Sequence, residues 1–374
     1  MHSIDVFRGL IVAGMLLVTN AGDWNHVYWP LKHADWNGVT PTDMIFPSFL
    51  FLAGVSMTFS FAARRRKGAN TAQLVRHVVV RSLLLIGIGL VLNGWPKYDL
   101  HNLRIPGVLQ RIGLCYAAAG LFYVALTRKQ NRGQASATAL GGAAIGLMVS
   151  YWAMMKLVPV PGFGPGHLDN VGSLDAWIDR AVFGARHLWF YGGQTWDPEG
   201  FLSTMTATCN VLLGIVTGEW LRTERPERRK LMGMAVAGLL LLAAGVALDP
   251  MIPINKKIWT PSFVLLSAGF SLVVLAALSV VVDRWRWRRG LTPSLVFGSN
   301  AILAFALANL LSPLEPLVQW NAGSHAQTLR GVVNGTLARW MSPWSASLGY
   351  ALLFVAGNCA IVWLFYRKRV FLRI

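Results

Sequence analysis

Long runs of apolar residues alternate with short polar connections along the whole chain. A helix needs about 20 residues to cross the hydrocarbon core of a bilayer. The runs therefore predict an all-α polytopic membrane protein, a bundle of about ten transmembrane helices in a single domain over residues 1–374. The ten predicted spans are 4–20, 42–63, 72–93, 107–126, 138–157, 201–221, 231–248, 259–282, 294–312 and 346–366.

The connections between these runs alternate in charge. More than half of the lysines and arginines fall in one set, which comprises 64–67, 128–132, 222–230, 284–289 and the tail 367–373. The other set is longer and holds most of the acidic residues: 21–41, 94–106, 158–200, 249–258 and 313–345. Since basic connections stay in the cytoplasm, the pattern predicts both termini on the cytoplasmic side and the acidic set outside.

Composition supports a membrane protein and argues against nucleic-acid binding. Hydrophobic residues make up 54% of the chain, charged residues only 13%, and the mean hydropathy is +0.48. The net charge of +18 arises from clusters between apolar runs, whereas nucleic-acid-binding domains gather basic residues on one soluble face. The three cysteines lie inside apolar runs, so we expect buried thiols and no disulfide framework. The expected partner of most of the surface is thus the lipid bilayer.

Two segments depart from the simple pattern. The long connection 158–200 contains a stretch, 174–186, that predicts an amphipathic helix at the membrane surface. The predicted span 294–312 contains Asn300 and Asn309, which makes its boundaries the weakest in the pattern, as are those of the short first span. The sequence shows no internal repeat and no pair of broken helices.

The first acidic connection carries the densest set of polar side chains. Histidine exchanges protons near neutral pH, and a neighbouring carboxamide can stabilise an oxyanion. The connection is therefore a candidate active site, although a solvated loop would also be polar. A metal site built from His26, His33 and Asp35 would have no recognised ligand spacing, so no metal is predicted. The polar residues are Asn20, Asp23, Asn25, His26, His33, Asp35 and Asn37.

Several ionisable residues fall within or at the edges of apolar runs, where they are costly and often functional. Asp5 and Arg8 lie three residues apart on the first span and can pair with each other. Asp43 begins the second span, and Arg111 lies about one turn into the fourth. Arg8 and Arg111 are candidates for lining a polar cavity. Their alternative role is that of paired residues near helix ends.

A series of motifs in order along the chain resembles the heparan-α-glucosaminide N-acetyltransferase family. Each motif is weak alone, but together they run through nearly the whole chain. They read SIDVFRGL at 3–10, LKHADWNG at 31–38, TDMIFP at 42–47, RIPGVLQRIG at 104–113, DPEG at 197–200, NKKIWT at 255–260 and GSNAI at 298–302.

This resemblance implies a transmembrane acyltransferase that takes acetyl-CoA from the cytoplasm and acetylates an amino sugar on the far side. It places the catalytic histidine at His33 and matches an upstream asparagine to Asn20. Asp35, Asn37 and Asp43 are supporting or substrate-binding candidates, and Arg8 and Arg111 are candidates for binding acetyl-CoA. His33 would act either as a general base or as a covalent acetyl acceptor.

The expected setting is the inner membrane of a bacterium, because the lumenal domain of the lysosomal members has no counterpart here. The expected partners are acetyl-CoA and a saccharide acceptor, and a homodimer is left open. Two alternatives remain. One is an O-acyltransferase that acts on a cell-envelope glycan. The other is a transporter or flippase that uses the intramembrane charges.

Overall fold

The computed structural model describes residues 1–128, 135–315, 318–322 and 325–372. In this part of the chain there are thirteen α-helices and one short antiparallel hairpin. The helices are α1 His2–Thr19, α2 Ile45–Arg66, α3 Thr71–Gly94, α4 Val108–Thr127, α5 Ala137–Leu157, α6 Leu174–Phe183, α7 Ser203–Leu221, α8 Glu227–Leu248, α9 Pro261–Leu278, α10 Thr292–Ser299, α11 Ala301–Leu311, α12 Leu329–Ala338 and α13 Pro343–Arg367, and the hairpin strands are β1 Gln319–Ala322 and β2 His325–Thr328.

Short turns of other helix types extend several of these elements. A turn of 3-10 helix, Pro41–Met44, leads into α2, and a π-helical segment, Ser279–Arg284, continues α9. Further 3-10 turns lie at Trp29–Leu31, Ala185–His187, Phe190–Gly192 and Ser312–Leu314.

The all-helical membrane fold is confirmed. Eight of the described helices are long and apolar enough to cross a membrane, and the pair α10–α11 adds a ninth candidate span. The amphipathic segment expected at 174–186 is the surface helix α6. Residues 129–132 of the basic connection 128–132 and Arg373 of the tail lie outside the described residues.

The remaining predicted span, 201–221, forms helix α7, but this helix is not apolar enough to count among the candidate membrane spans. The reason is its position at the centre of the bundle. It packs on α2, α4, α5 and α9 and buries Thr206, Asn210, Thr217 and Glu219. Because α7 is surrounded by protein and not by lipid, it tolerates polar side chains that a lipid-facing helix would not.

The expectation of one continuous helix over 294–312 is wrong. The chain bends by 87° between α10 and α11, at Asn300. At the break, Arg8 donates to the carbonyl of Gly298, and the buried Asn300 side chain donates to the carbonyl of Val370 and accepts from the amide of Leu372. An irregular backbone inside a membrane protein is tolerated where protein groups or a cavity supply its hydrogen bonds.

Two helix pairs approach so closely that only glycine fits at the contact. A Cβ on Gly9 of α1 would lie 1.7 Å from the carbonyl oxygen of Ser294 on α10. A Cβ on Gly54 of α2 would lie 2.1 Å from the carbonyl oxygen of Val211 on α7. Small residues let helix backbones meet in this way inside membranes. These contacts fix α1 against α10 and α2 against α7.

The connections of the acidic set meet at one end of the bundle. The amide of Gly38 donates to Ile254 at 2.8 Å, and the indole of Trp36 donates to the carbonyl of Leu168 at 2.9 Å. Arg104 pairs with Asp197 across two further connections. At the opposite end, the amide of His2 donates to Asp283. The structure thus groups the connections as the charge pattern does, while which end faces the cytoplasm stays a prediction.

Candidate functional site

His33 is paired with a buried carboxylate at the end of the bundle where the acidic connections meet. Its Nδ1 lies 2.6 Å from Oδ1 of Asp43, which is 1% exposed, whereas the imidazole itself is half exposed. The other oxygen of Asp43, Oδ2, accepts from the amides of Ala34 and Thr40 and from the Thr40 hydroxyl, at 3.0 to 3.1 Å. The loop therefore folds around Asp43, and the 3-10 turn that leads into α2 presents this carboxylate to His33.

This pairing determines which nitrogen of His33 carries the proton. A carboxylate only accepts hydrogen bonds, so the proton in the 2.6 Å contact belongs to Nδ1. Nε2 then carries the lone pair and is available as a base or a nucleophile. Burial lowers the pKa of His33 below its ordinary value, although the hydrogen bond to Asp43 acts in the opposite direction. The imidazole thus remains neutral at lower pH than a free histidine would.

A second loop, between α8 and α9, completes the surroundings of His33. Lys256 Nζ lies 3.0 Å from Nδ1 of His33 and 3.3 Å from Oδ1 of Asp43. The loop is fastened by Asn255, whose amide nitrogen donates to Oδ1 of Asn37 at 3.0 Å. Asn37, one of the predicted supporting residues, thus contacts the side chain of Asn255 in the neighbouring loop.

Asp35 lies next to the same loop and contacts it through its backbone carbonyl. Its carbonyl oxygen accepts from Nζ of Lys257. The Lys257 ammonium also lies over the rings of Trp36 and Trp196, at 5.7 and 5.6 Å from their centroids. The Asp35 carboxylate makes no hydrogen bond within the part of the chain that the structure describes, and the residue is exposed.

A carboxylate from a third connection faces the histidine. Glu199 lies close enough for its negative charge to act on both His33 and Lys256. Arg104 holds Glu199 in place and pairs with Asp197 through two nitrogens, at 2.9 and 2.6 Å. Burial alone would lower the pKa of Arg104, but these carboxylates raise it above its ordinary value. Glu199 is therefore a fixed negative charge at the rim of the site.

Asn20 lies at the end of α1 and is 2% exposed. Its side-chain nitrogen donates to the carbonyl of Leu16 at 2.8 Å and to the hydroxyl of Thr19 at 3.1 Å, and its Oδ1 is buried without a hydrogen-bond partner among the described residues. It shares no hydrogen bond with His33. An oxyanion-donor role for Asn20 would therefore require its amide to rotate away from these two acceptors.

The two arginines predicted to bind acetyl-CoA lie in different places. Arg111 is 1% exposed, donates to the carbonyl of Gly200 and the hydroxyl of Ser203, and lies 5.0 Å from the ring centroid of Trp259. Arg111 thus ties α4 to α7 and does not border the cavity that runs along the inner face of α2. Arg8 does border it, and bonds to Asp5, to the carbonyl of Gly298 and to Ser56.

The cavity has a volume of about 560 Å³ and runs along the inner face of α2. It lies among α1, α2 and α4 and is completed by α3 and the broken pair α10–α11. Ile45, at the start of α2, and Arg64, near its end, both line it. Nineteen residues of helix span about 28 Å, close to the thickness of the hydrocarbon core. One end of the cavity therefore begins two residues beyond Asp43.

The opposite part of the cavity is basic and contains polar groups without partners. Arg8, Arg64, His77 and Arg81 line it, and the guanidinium of Arg81 lies 4.8 Å from the ring centroid of Tyr116. Nε2 of His77, Nε of Arg81 and the hydroxyl of Tyr116 are buried and lack hydrogen-bond partners in the described part of the chain. Buried polar atoms are normally satisfied, so this wall fits a polar, anionic ligand such as the phosphates of acetyl-CoA.

The structure offers no metal centre in the described ranges. His26 pairs with Asp23 at 2.6 Å while His33 pairs with Asp43, and no group of three or more His, Cys, Asp or Glu side chains there is placed to hold an ion.

Residues 1–159 match the family model described as heparan-alpha-glucosaminide N-acetyltransferase, catalytic. The family resemblance predicted from the motifs is thereby confirmed. Two curated relatives named heparan-alpha-glucosaminide N-acetyltransferase are similar to this chain. The Mus musculus protein is 30% identical over 365 residues, which cover 86% of this chain and 55% of the relative. The Homo sapiens protein is 28% identical over 422 residues, covering 100% and 60%. The chain thus spans a little over half the length of the curated relatives it matches.

Sequence reasoning overlooked Lys256, Glu199 and Arg104 as site residues. A signal was present, because all three lie in motifs on which the predicted resemblance to the acetyltransferase family rests, at 104–113, 197–200 and 255–260. What the motifs do not contain is the pairing of distant loops: Lys256 lies 223 residues from His33 in the chain. Only the fold shows that these motifs surround one histidine.

Proposed function

We propose that this protein is a transmembrane N-acetyltransferase that moves an acetyl group from cytoplasmic acetyl-CoA to an amino sugar on the opposite side of the membrane. One observation carries the proposal. The cavity that follows α2 begins at Ile45, two residues beyond the buried carboxylate that pairs with His33, and the other end of this cavity is basic.

The basic end suits the nucleotide part of acetyl-CoA, and the narrow apolar part suits its pantetheine arm. Arginine forms strong, paired hydrogen bonds with phosphate oxygens. Arg8, Arg64 and Arg81 would bind the phosphates, together with the unpartnered groups of His77 and Tyr116. The acetyl group would then reach the end of the cavity beside Ile45, next to the loop that carries His33.

His33 performs the proton transfer in this scheme. The free amine of the acceptor attacks the thioester carbonyl, which forms the C–N bond, and Nε2 of His33 accepts the proton that the nitrogen loses. The C–S bond then breaks, and the same proton passes from Nε2 to the departing thiolate, which leaves as the thiol of CoA. Asp43 holds Nδ1–H throughout, so that Nε2 remains the reactive nitrogen. Glu199, facing the histidine, would attract the amino group of the acceptor before its deprotonation.

Nε2 could also accept the acetyl group itself before the amine takes it. Incubating the protein with acetyl-CoA in the absence of acceptor distinguishes the two routes. A peptide containing His33 that carries the added mass of one acetyl group would establish the covalent route. Direct transfer leaves this peptide unmodified.

The membrane geometry is tested in sealed vesicles that contain the enzyme in one known orientation. Acetyl-CoA confined to the side of the basic connections, with glucosamine confined to the other side, should give N-acetylated product on the glucosamine side. His33→Ala should lose about 10²–10⁴-fold in turnover, whereas the control His26→Ala should stay near wild type. Equal turnover with both substrates on the cytoplasmic side would refute the cross-membrane reaction. A hydroxyl acceptor tested in parallel separates N- from O-acetylation.

A further inference from the structure

Lys256 occupies a position that the transfer chemistry described above does not use. Its ammonium lies within 3.3 Å of both members of the His33–Asp43 pair, and its side chain is only 17% exposed. A lysine is seldom buried without a reason, because desolvation of its charge is costly. Lys256 contacts the imidazole at Nδ1, the nitrogen that also contacts Asp43. Its ammonium therefore does not face Nε2, the nitrogen that reacts in the proposed function.

The loop that carries Lys256 is held rigidly against the His33 loop. Asn255 is fully buried, and its Oδ1 accepts from the amides of Lys257 and Ile258 at 2.7 and 3.1 Å. Its Nδ2 reaches across to Asn37, and the amide of Gly38 bonds to Ile254. These four hydrogen bonds fix the backbone on both sides of Lys256, and the contact with Asp43 at 3.3 Å holds its ammonium beside His33.

We propose that Lys256 is a positioning residue that keeps His33 in its neutral, base-competent form by sharing the Asp43 carboxylate. This inference rests on the proposed function, in which His33 must accept a proton. A buried carboxylate next to a histidine strongly favours the charged imidazolium. An ammonium on the same carboxylate removes much of this preference and repels a second positive charge on the ring.

The charged groups around His33 agree with this balance. Asp43 and Glu199 favour its protonation, Lys256 opposes it, and burial further lowers the pKa of His33. Lys257 makes no direct contact with the pair, because its ammonium lies against the Asp35 carbonyl and the rings of Trp36 and Trp196. Among the described residues, Lys256 is thus the one cation in direct contact with the pair.

The test measures the protonation of His33 without relying on activity. Diethyl pyrocarbonate modifies neutral imidazole, so the rate at which it modifies His33, followed by peptide mass spectrometry across a pH series, reports the pKa of this residue. The variants are Lys256→Met, which removes the charge with a similar length, Lys256→Arg, which restores it, and Lys257→Met as the matched control.

We expect the His33 titration of Lys256→Met to move up by about one pH unit. At pH values below both midpoints, the modification rate should then fall about tenfold relative to wild type. Lys256→Arg should recover most of this shift, and Lys257→Met should titrate as wild type. The acid limb of kcat/KM for acetyl transfer should move upward with the His33 titration in Lys256→Met.

An unchanged His33 titration in Lys256→Met would overturn the proposal, as would an equal shift in Lys257→Met. A midpoint that moves downward would do the same. These outcomes are separate from the fate of the proposed function. If His33→Ala retained activity, the acetyl-transfer mechanism would fail even with a shifted titration, whereas an unshifted titration with an inactive His33→Ala would remove only the role of Lys256.

Discussion

Replacing Asp43 with asparagine should prevent His33 from acting as a base, because it should hold the imidazole in the other tautomer. Oδ2 of Asp43 accepts three hydrogen bonds, from two backbone amides and one hydroxyl. In Asp43→Asn the amide oxygen must remain at this position, because an NH₂ group would face two N–H donors. The NH₂ group therefore faces His33 and donates to Nδ1. The proton of the imidazole moves to Nε2, which can then no longer act as a base.

The expected loss follows from what the base supplies. General-base catalysis contributes about 10²–10⁴-fold, and a wrongly held tautomer in a histidine–aspartate pair removes up to about 10⁴-fold. Asp43→Asn should thus lower kcat by at least about 10²-fold. Its affinity for acetyl-CoA should remain close to that of wild type, because the basic groups of the cavity lie at the other end of α2. The assay is the initial rate of glucosamine acetylation by purified protein, with acetyl-CoA binding measured in parallel.

The same loop provides a matched control. Asp23 pairs with His26 at the same distance of 2.6 Å, but this pair lies apart from Lys256 and Asp43. Asp23→Asn should therefore leave kcat almost unchanged. The reasoning would be refuted by Asp43→Asn turning over at nearly the wild-type rate, or by Asp23→Asn losing as much as Asp43→Asn.

Two further predictions separate residues that the sequence treated alike. Asn20→Ala should lower kcat about 10²–10³-fold if the Asn20 amide donates to an oxyanion. Asn20→Asp should then lower kcat as much. An active Asn20→Asp would show instead that Oδ1, which has no hydrogen-bond partner among the described residues, is the functional atom. Arg8→Gln should raise the KM for acetyl-CoA, because Arg8 borders the cavity. Arg111→Gln should leave this KM unchanged and lower the melting temperature and the yield, because Arg111 ties α4 to α7 and does not border the cavity. Identical effects of the two arginine variants would contradict the positions that the structure gives them.

The helices were predictable because every lipid-facing span must be an apolar run of about 20 residues. Nine apolar runs each marked one of the described helices, usually to within a few residues, and the tenth run marked the bent pair α10–α11. The rule fails where the surroundings are not lipid. Helix α7 is more polar than a lipid-facing span because protein encloses it, and Asn300 breaks a span because the tail residues Val370 and Leu372 satisfy its side chain. Neither neighbour is visible in a local window of sequence.

The site was predictable only in part, for a related reason. His33, Asp35 and Asn37 stand out because they are crowded into one connection, yet crowding does not tell which of them meets another loop. The side chain of Asn37 fastens Asn255, Asp35 offers a carbonyl to Lys257, and only His33 contacts both Asp43 and Lys256. These roles depend on how connections distant in sequence are brought together.

In the proposed reaction, helix α2 links two substrates that would bind on opposite sides of the membrane. The turn that begins it carries Asp43, and its last turns carry Arg64 at the basic end of the cavity. Its backbone is fixed against α7 at Gly54, where no side chain fits. The spacing between the base and the phosphate-binding groups is therefore set by a rigid helix of about 28 Å. A bilayer-spanning donor requires such a fixed spacing, since its acetyl group must stop within reach of Nε2 of His33. In this arrangement the charged part of the donor stays at the basic end, and only its thin arm enters the apolar interior.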